Sequence, residues 1–540
     1  MRKFSAPQIA LIVAALTLGS KFIGFIREII KANYYGTSYV VDSLGISESI
    51  PSMIFAGVLA ATATSFMPLF SEKMEKEGEL AANRYTSQVI NILVIISVIA
   101  SIVGIIFSEQ IVTFFTMPDI LAPTGSGPIE KAAWFVTHGW MGEKAQLASF
   151  YVNVTFSYML FSSVAGILES YIKYKGVFVR QVIAGYSISM MMIVGLIVSR
   201  VVDDPRLIVV GSLAGNIVRL IIIALIAKHE KYKYTFDFHM TDTVRRIFTM
   251  ALPIFVGSSV AQISSFVDNM LATGLDTGNV ASLSYSSLLI GLASGLTSSI
   301  IATMIYPKMS QAFTNGDERR FSDLFTNGLM ITLMLGIPLA IASVIYNEQV
   351  IQIVYERGAF SGASTELTAR AFLCLAPGLV FIMISGVMIN AFYSRQQTKL
   401  PLLISLASIS VNIVFDLLLV GRYGNAGLAS ATSLSQVVGA VLYVVIIKAS
   451  NPHLIQPGFA SNCMKVIVAA AVSVGGTAPI YFGVMFLATN NGWIMPRAAL
   501  LLATTLAAIA VYALLLHVMK VNEIRHFREI AGLFRKKSGE

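Results

Sequence analysis

Charged side chains are scarce in this sequence: Asp, Glu, Lys and Arg together make up only 12% of its 540 residues, against 56% hydrophobic residues. A soluble globular domain carries about 25% charged residues. The chain is therefore predicted to lie in a membrane. Lipid offers no partner to an open backbone, so the fold class expected is an all-α polytopic membrane protein.

Cysteine, histidine and nucleotide-binding motifs are also scarce. The two cysteines lie in or beside apolar runs and the six histidines are scattered, so no disulfide framework and no metal motif is predicted. The sequence contains no G-x-x-x-x-G-K-[ST] and no G-x-G-x-x-G, so it suggests no internal ATPase or dinucleotide site. The only adjacent aspartates, in VVDDP (201–205), have the composition of a turn. The alternative of a membrane transferase would need clustered carboxylates, and a turn of this kind does not supply them. We therefore predict a protein that is not an enzyme and requires no cofactor.

Long apolar runs are abundant. A membrane-spanning helix needs ~20 mostly apolar residues. Fourteen runs meet this requirement, centred in roughly 7–30, 43–69, 86–107, 147–172, 182–199, 206–228, 249–272, 284–306, 324–346, 367–393, 401–420, 426–447, 464–488 and 497–519.

The distribution of basic residues predicts the orientation. With the N-terminus placed in the cytoplasm, 26 of the 38 Lys and Arg residues fall on the cytoplasmic side, nine fall outside and three lie within spans. Cytoplasmic loops carry such an excess, so both termini are predicted to lie inside. This topology explains the net charge of +9 without nucleic acid, and the basic C-terminal tail is predicted to contact lipid head groups.

The chain repeats itself. FMPLFSEKM (66–74) matches IYPKMSQAF (305–313) at an offset of 239, which aligns two prolines and two serines. Further along, SVAGILESYIKYK (163–175) matches ISGVMINAFYSRQ (384–396) at an offset of about 220. Spans 1–6 and 7–12 are therefore predicted to be two copies with the same orientation, which is one of the plans found in transporters.

The drop in offset indicates an insertion of about 19 residues in the first copy. Hydrophobicity breaks at about 116–146, on the predicted outer face, so we place the insertion there. The predicted domains are a first six-helix lobe (1–230), a second six-helix lobe (231–450), and spans 13 and 14 with the basic tail (451–540).

One short stretch, SKFIGFIREIIKANYYG (20–36), carries charges while its apolar pattern still continues. Lys21 and Glu28 share a helix face, and Arg27 points away from it. A charge in the hydrocarbon layer costs roughly 2.5–3.5 kcal/mol on insertion scales, so such residues indicate function.

Three segments resemble a known family. They are GFIREIIKANYYGTSYVVDSLGISESIPSMIFAGVLAATATSFMPLFSEK (24–73), VYERGAFSGASTELTARAF (354–372) and AFYSRQQTKLPLLISLASISVNIVFDLLLVGRYGNAGLASATSLS (391–435). Together they resemble the lipid II flippases, the MurJ/MviN family of the multidrug/oligosaccharidyl-lipid/polysaccharide exporter superfamily. The resemblance implies two lobes that form a V around a central cavity, with spans 13 and 14 forming a groove for a lipid tail.

The resemblance also implies a function. The expected activity moves lipid II, an undecaprenyl-pyrophosphate-linked peptidoglycan precursor, from the inner to the outer leaflet of a bacterial plasma membrane by alternating access. Membrane potential, an ion gradient or both would drive it. Membrane lipids and cell-wall synthesis proteins are the other partners expected. Two alternatives stay open: export of another polyprenyl-linked polysaccharide precursor, and antiport of drugs and cations as elsewhere in the superfamily.

The resemblance assigns substrate-binding roles in the first lobe. Lys21 stands where the family usually has Arg, Arg27 matches a second family cation, and Asp42 matches the acidic residue at the start of the second span. With Glu28 these residues form the predicted site for a dehydrated pyrophosphate head. The alternative is that Arg27, Glu28 and Lys31 only mark the outer end of the helix and pair with Asp42.

The chain departs from the family pattern at two positions. Where the family usually has further arginines on the second and eighth spans, this chain has Phe55 and Leu288. Two interpretations stay open: the head group is another polyprenyl-linked sugar, or binding uses polar residues such as Ser286 and Ser287.

A third cation lies within the sixth span. Arg219 is expected either to compensate for the missing arginines or to pair with a carboxylate such as Glu169.

A second polar group predicts an ion site. Asn412 and Asp416 are one helical turn apart on the eleventh span, Asp268 lies at a similar depth on the seventh, and Thr432 lies on the twelfth. Some members of the resembled family hold sodium at matching positions. Such hard oxygen ligands suit Na⁺ or a proton as the coupling ion. The alternative is a neutral, hydrogen-bonded Asp–Asn packing pair.

Overall fold

The computed structural model describes residues 6–115, 143–301, 305–450, 454–456, 458–490 and 496–521, and no strand occurs among them. Most of the insertion predicted at about 116–146 and most of the basic tail lie outside these residues. The helices, in chain order, are α1 (Ala6–Tyr35), α2 (Tyr39–Ile106), α3 (Ser108–Phe115), α4 (Glu143–Tyr174), α5 (Phe178–Val202), α6 (Arg206–His229), α7 (Asp242–Thr273), α8 (Asn279–Ile300), α9 (Tyr306–Thr314), α10 (Glu318–Ile345), α11 (Asn347–Tyr355), α12 (Gly362–Ser394), α13 (Lys399–Ser450), α14 (Phe459–Asn490) and α15 (Arg497–Val518).

The fold class is confirmed as that of an all-helical membrane protein. Within the described part of the chain, nine helices are long and apolar enough to cross a membrane. Two of the helices each contain two of the predicted spans. The backbone leaves helical geometry at Gly78 inside α2 and at Gly424 inside α13, where φ is positive. The number of fourteen spans stays a prediction.

The chain divides into two compact units. Unit 1 comprises residues 1–282 and 355–364, and unit 2 comprises residues 283–354 and 365–540. In unit 1, α2 packs against both α4 and α7. The division therefore falls after α7 and not near residue 230, and the boundaries of the predicted lobes stay a prediction.

Unit 1 is held together by aromatic packing and by close helix contact. Phe66, Phe70 and Tyr171 are fully buried in one cluster between α2 and α4. Helices α5 and α6 approach so closely that a Cβ atom on Gly195 would lie 2.7 Å from the carbonyl oxygen of Leu207. Small residues allow this approach, which is how helices associate when lipid supplies no hydrophobic force between them.

Unit 2 has its own core. Helices α10, α12 and α13 bury Phe321, Phe325 and Phe392 in one cluster. Helix α14 packs on α10, and α15 packs on α14. The Tyr512 hydroxyl on α15 donates a 2.9 Å hydrogen bond to the carbonyl oxygen of Met334 on α10, which fixes the last helix to the unit.

Matching details recur in the two units at the offsets of the predicted repeat. Helices α3 and α11 begin 239 residues apart. Positive φ angles occur at Gly176 and again 220 residues later at Gln396. An ion pair joins Lys175 to Glu79 in unit 1, and one joins Arg395 to Glu318 in unit 2. These coincidences support two copies of one helical plan.

Candidate functional site

The charged stretch of α1 forms a compact cluster. Arg27 donates to Glu28 Oε1 from Nε (3.0 Å) and from Nη2 (2.8 Å), and Lys31 forms an ion pair with Glu28 Oε2. Glu28 and Lys31 are buried, whereas 26% of the Arg27 side chain is exposed. Two cations thus share one carboxylate, which leaves the cluster with a net positive charge and orients Arg27 by charge-assisted hydrogen bonds.

The other predicted cation lies earlier on the same helix. Lys21 is exposed on α1, and it makes no ion pair with any described residue. The side chain of Phe55 lies outside the described residues. Leu288 is half-buried in unit 2.

A carboxylate that the sequence reasoning did not single out also acts on Arg27. The charges of both Glu28 and Glu48 act on its guanidinium, and the ring of Tyr158 lies in the same environment. Glu48 is an exposed side chain on α2. Its signal in the sequence is an acidic residue inside a predicted span, the same criterion that identified Glu28.

Asp42 has a different partner from either one expected. It is buried at the start of α2, where Oδ2 accepts a 2.6 Å hydrogen bond from the backbone N–H of Gly278 and Oδ1 accepts a 2.8 Å bond from that of Ala281. Asp42 therefore caps the N-terminus of α8 from another helix. The alternative pairing of Asp42 with the α1 cations is wrong, because Glu28 takes that role.

The surroundings of Asp42 form what we call the α1–α2 junction, made of residues 33–42, 276–281 and 358–364. The backbone N–H of Ala359 donates a 2.8 Å bond to the carbonyl oxygen of Asn33, and the hydroxyls of Thr37 and Ser364 are 2.8 Å apart. Gly358 has a positive φ, and a Cβ atom there would collide with Asn33. The junction is thus a tight backbone contact that leaves no space for a ligand.

Arg219 is paired. Its Nε and Nη2 donate to Glu169 Oε1 at 2.8 and 2.5 Å, and Gln181 donates to the other carboxylate oxygen at 3.2 Å. The structure therefore supports the second of the two interpretations, a pair between α6 and α4. A direct role for Arg219 in substrate binding stays a prediction.

The two serines expected to help bind the substrate differ in access. Ser286 is fully buried in unit 2, and its hydroxyl donates a 2.9 Å bond to the carbonyl oxygen of Thr368. In this structure Ser286 is a packing residue, because its hydroxyl is used inside the unit. Ser287 is exposed on α8, so its predicted role is compatible with its position.

The residues of the predicted ion site are distributed over both units. Asp268 is half-buried on α7 in unit 1, and Asn412, Asp416 and Thr432 all lie on α13 in unit 2. Asn412 and Asp416 are buried. The Thr432 hydroxyl donates its proton to the carbonyl oxygen of Leu428, so the lone pairs of the oxygen face away from that bond. The three residues on α13 carry oxygen donors of the kind that bind Na⁺.

The described residues contain no group of three or more His, Cys, Asp or Glu side chains that would hold a metal ion. An ion held by α13 would therefore depend on amide and hydroxyl oxygens beside the Asp416 carboxylate. The ion site stays a prediction.

A comparison with protein families identifies the chain. The model of the family described as lipid II flippase MurJ matches residues 31–495. The chain belongs to the lipid II flippase MurJ family. The match includes Lys31 of the α1 cluster, the α1–α2 junction and the whole of α13.

Curated members of the MurJ family resemble the chain over most of its length. A protein of Rickettsia prowazekii named "Probable lipid II flippase MurJ" is 25% identical over 466 residues, which cover 85% of this chain and 87% of that protein. A protein of Vibrio cholerae with the same name is 26% identical over 80% of this chain and 81% of its own length.

Solved structures support the fold. The lipid II flippase MurJ in an inward closed conformation has a TM-score of 0.76 and 22% identity, and the match covers 95% of this chain and all of that one. An inward-facing multidrug resistance MATE family transporter of the MOP superfamily has a TM-score of 0.61 and 13% identity, over 82% of this chain and 98% of that one. The MurJ fold of the chain is thus shared with transporters of that superfamily.

Proposed function

We propose that this chain moves lipid II, a lipid-linked peptidoglycan precursor, from the inner to the outer leaflet of a bacterial plasma membrane. Membership of the MurJ family supports this function. The observation that carries it in the chain itself is the α1 cluster, in which Arg27 and Lys31 share Glu28 inside an apolar helix. Cations are retained in lipid when they serve to bind an anion, and the head of lipid II contains a pyrophosphate.

The chemistry of the site follows from the Arg27 contacts. Arg27 uses Nε and Nη2 on one oxygen of Glu28, and Nη1 makes no hydrogen bond to a described residue. A phosphate oxygen would bind at Nη1 while Glu28 keeps the guanidinium oriented. Guanidinium groups suit phosphate because they donate two parallel hydrogen bonds. Lys21, nearer the start of α1, would contact the same anionic head as a point charge.

The α1–α2 junction is proposed to be a closed gate at the outer side. Asp42 caps the first turn of α8, and the paired backbones at Asn33 and Ala359 exclude a ligand. Alternating access requires that these bonds break when the head leaves toward the outer leaflet. Asp42 would therefore act on the gate and not as a ligand of the substrate.

Two sources of driving force fit the residues. A potential that is negative inside favours outward movement of an anionic head by roughly 2.3 kcal/mol per charge per 100 mV. The oxygens of Asn412, Asp416 and Thr432 on α13 are proposed to hold Na⁺, with a proton as the alternative, and Asp268 stays a ligand predicted from the sequence alone. When the carrier holds no lipid, a cation bound here would add positive charge and so favour one of the carrier's states.

The remaining properties follow from this function. We infer that the protein is a transporter and not an enzyme, that both termini are cytoplasmic, and that membrane lipids and cell-wall synthesis proteins are its partners. The excess of basic residues on the side assigned to the cytoplasm supports the orientation.

A second cargo is favoured by one set of observations. The chain has Lys21 in place of an arginine, Phe55 and Leu288 in place of two more, and the extra carboxylate of Glu48 acting on Arg27. Phe55, Leu288 and Glu48 lower the positive charge available to a diphosphate, and Lys21 keeps its charge but lacks the bidentate fork of an arginine. Another polyprenyl-linked precursor is therefore the alternative substrate. The cations on α1 argue against the other alternative, an antiporter of drugs and cations.

The test is complementation. A bacterium depleted of its resident lipid II flippase would express this chain or its Lys21→Ala/Arg27→Ala variant, and lipid II exposed on the outer leaflet would be measured. We expect exposure to be restored by the chain and reduced at least about tenfold in the variant, since hydrogen bonds to a charged group contribute roughly 1.5–3 kcal/mol and the variant loses two cations that would bind the pyrophosphate.

Arg370→Ala is the matched control, because it removes an exposed cation that pairs only with exposed Glu366. It should transport normally. If the chain is present in the membrane but restores no exposure, the cargo is a different polyprenyl-linked lipid. If the double variant transports as well as the parent, the α1 cluster is not the substrate site.

A further inference from the structure

The segment between α6 and α7, residues 231–241, has no regular secondary structure, and we call it the α6–α7 linker. Thr235 and Asp237 face α2: the N–H of Thr235 donates to Ser87 Oγ (3.0 Å), and the carbonyl oxygen of Asp237 accepts from Asn91 Nδ2 (2.8 Å). Asp237 is the one buried residue of the linker, and Tyr234 also binds α2, because its hydroxyl donates to Asn91 Oδ1 (2.5 Å). Phe236, Phe238 and Met240 are exposed and form what we call the open face.

Asp237 fixes the linker to α2. Its Oδ2 accepts hydrogen bonds from Arg84 Nε (2.5 Å) and Gln88 Nε2 (2.8 Å), and its Oδ1 accepts one from the backbone N–H of His239 (2.9 Å). The carboxylate is nearly fully buried by these donors. The position of the open face is therefore set by side chains of α2, and the linker is not a loose connection.

The open face is apolar to an unusual degree for a connecting segment. Phe236 is 81% exposed and Met240 is 61% exposed. The rings of Phe236 and Phe238 lie edge to face with centroids 4.8 Å apart, so they form one apolar surface. Aromatic side chains are enriched where lipid meets water. The linker begins two residues after the end of α6, which is long and apolar enough to span a membrane.

Positive charges outnumber negative ones around the open face, where Glu230 and Asp242 are the carboxylates that flank the linker. Exposed cations precede the linker, lie within it and follow it: Lys228, Lys231, Lys233 and Arg245. The acidic residue inside the linker, Asp237, is bound to Arg84 and turned away from the open face. Exposed aromatic rings between exposed cations are complementary to a surface that is apolar below and anionic above.

We propose that the α6–α7 linker is an anionic-lipid binding surface. Phe236, Phe238 and Met240 enter the acyl boundary of the adjoining leaflet, and Lys231 and Lys233 contact phospholipid head groups of negative charge. Through Asp237 the contact also holds the part of α2 that contains Arg84, Gln88 and Asn91 at the membrane surface. Each lysine is expected to change partition of the linker into an anionic surface by about fivefold.

The test uses the full chain in lipid vesicles and reads depth, so its result does not depend on what the protein transports. Phe236→Trp places a fluorophore on the open face, and Leu80→Trp is the matched control. Leu80 is 84% exposed on α2, but its neighbours in the sequence are Glu75, Glu77 and Glu79. The signal of the three native tryptophans is subtracted with the parent chain.

Quenching by phospholipids brominated high on the acyl chain is compared in phosphatidylglycerol/phosphatidylcholine vesicles and in phosphatidylcholine alone. We expect Trp at position 236 to be quenched at least about twofold more than Trp at position 80 when phosphatidylglycerol is present. Lys231→Gln/Lys233→Gln in the Phe236→Trp background should lower that quenching to the value found without phosphatidylglycerol.

Two results would overturn the proposal. If Trp at 236 is quenched by acrylamide in water but no more than Trp at 80 by brominated lipid, the open face meets water or another protein. If lipid quenching is the same with and without phosphatidylglycerol, the face binds lipid without selecting its charge, and the assignment of the lysines is wrong.

Discussion

Two regions bury charge in this protein, and they do so in opposite ways. On α1 of unit 1, Arg27 and Lys31 surround the single carboxylate of Glu28. On α13 of unit 2, Asp416 is buried one turn from Asn412, and Arg370, near the start of the run 367–393, is the one Lys or Arg within the spans predicted for that lobe. One region is cationic with an anion built in, and the other is acidic.

The difference indicates what each region is for. An internal counter-ion offsets part of the cost of burying two cations and fixes their geometry, while it leaves a net charge of +1 for a ligand. An acidic residue among amide and hydroxyl oxygens offers a net negative charge and hard donors, which select a small cation. The region on α1 thus fits an anionic ligand, and the region on α13 fits a cationic one.

The largest effect expected is on stability, from removing the internal counter-ion. Glu28→Gln leaves Arg27 and Lys31 close together without their shared carboxylate, so the free energy of unfolding should fall by roughly 3 kcal/mol. Thermal unfolding of the detergent-solubilised chain measures it. Glu366→Gln, which breaks the exposed pair with Arg370, should cost no more than about 0.5 kcal/mol. Equal costs for the two variants would mean that the α1 cluster behaves as a surface pair.

The second effect tests the acidic region. Sodium at about a hundred times its dissociation constant should stabilise the parent chain by ~2.7 kcal/mol, because a ligand that binds only the folded state raises the free energy of unfolding. Asp416→Asn should abolish this increase, since the neutral amide keeps the shape but loses the charge. The unfolding temperature in sodium chloride is compared with that in choline chloride. A sodium response that survives in Asp416→Asn would remove α13 from the ion site.

The third effect concerns the carboxylate that opposes Arg27. Glu48→Gln should tighten binding of a polyprenyl diphosphate by about fivefold, because it removes one unfavourable charge at the partly exposed guanidinium, worth ~1 kcal/mol. Binding to the chain in nanodiscs is the measurement. Glu109→Gln removes the same charge from an exposed position on α3 and serves as the control. Equal affinities in the two variants would show that Glu48 does not tune the site.

The sequence predicted which residues carry charge in lipid, but not their partners. Charges inside apolar runs identified Arg27, Glu28 and Arg219, since insertion costs make such residues conspicuous. Partners depend on rotamers and on which helices meet. Glu28 therefore pairs with its own neighbours, whereas Asp42, three residues into α2, binds backbone N–H groups at the start of α8. No local pattern contains that contact, because 236 residues separate Asp42 from Gly278.

Hydropathy predicted where the apolar helices lie, but it did not predict which neighbouring runs form one helix. The predicted runs at 401–420 and 426–447 both lie inside α13, and the break between them is a single non-helical residue, Gly424. A hydropathy average over many residues detects the length of an apolar run and not a kink of one residue. The α6–α7 linker shows the opposite limit, because its polar and apolar residues alternate and average to an unremarkable segment.

A fourth, smaller effect compares the equivalent ion pairs of the two units. Arg395 is 9% exposed in its side chain and stacks on Phe321 at 4.5 Å, whereas Lys175 is 23% exposed and lies 5.7 Å from the Tyr171 ring. Arg395→Gln should therefore lower the free energy of unfolding by ~1.5 kcal/mol and Lys175→Gln by ~0.5 kcal/mol. Chemical unfolding in detergent gives both values. If the lysine variant is the more costly, the stacking in unit 2 contributes nothing.

The smallest effect lies outside the membrane, where a carboxylate with several donors meets water. The backbone N–H of His239 and the guanidinium of Arg84 hold the pKa of Asp237 well below its ordinary value of 3.8. The ionised form therefore stabilises the linker at every pH above about 4, and that contribution is lost as the pH falls below it. Amide exchange in residues 231–241, corrected for the intrinsic rate, should be faster at pH 3 than at pH 7. Asp237→Asn should show the faster exchange at both values. Exchange in the parent that is insensitive to pH would mean that the backbone bonds to Ser87 and Asn91 hold the linker without the carboxylate.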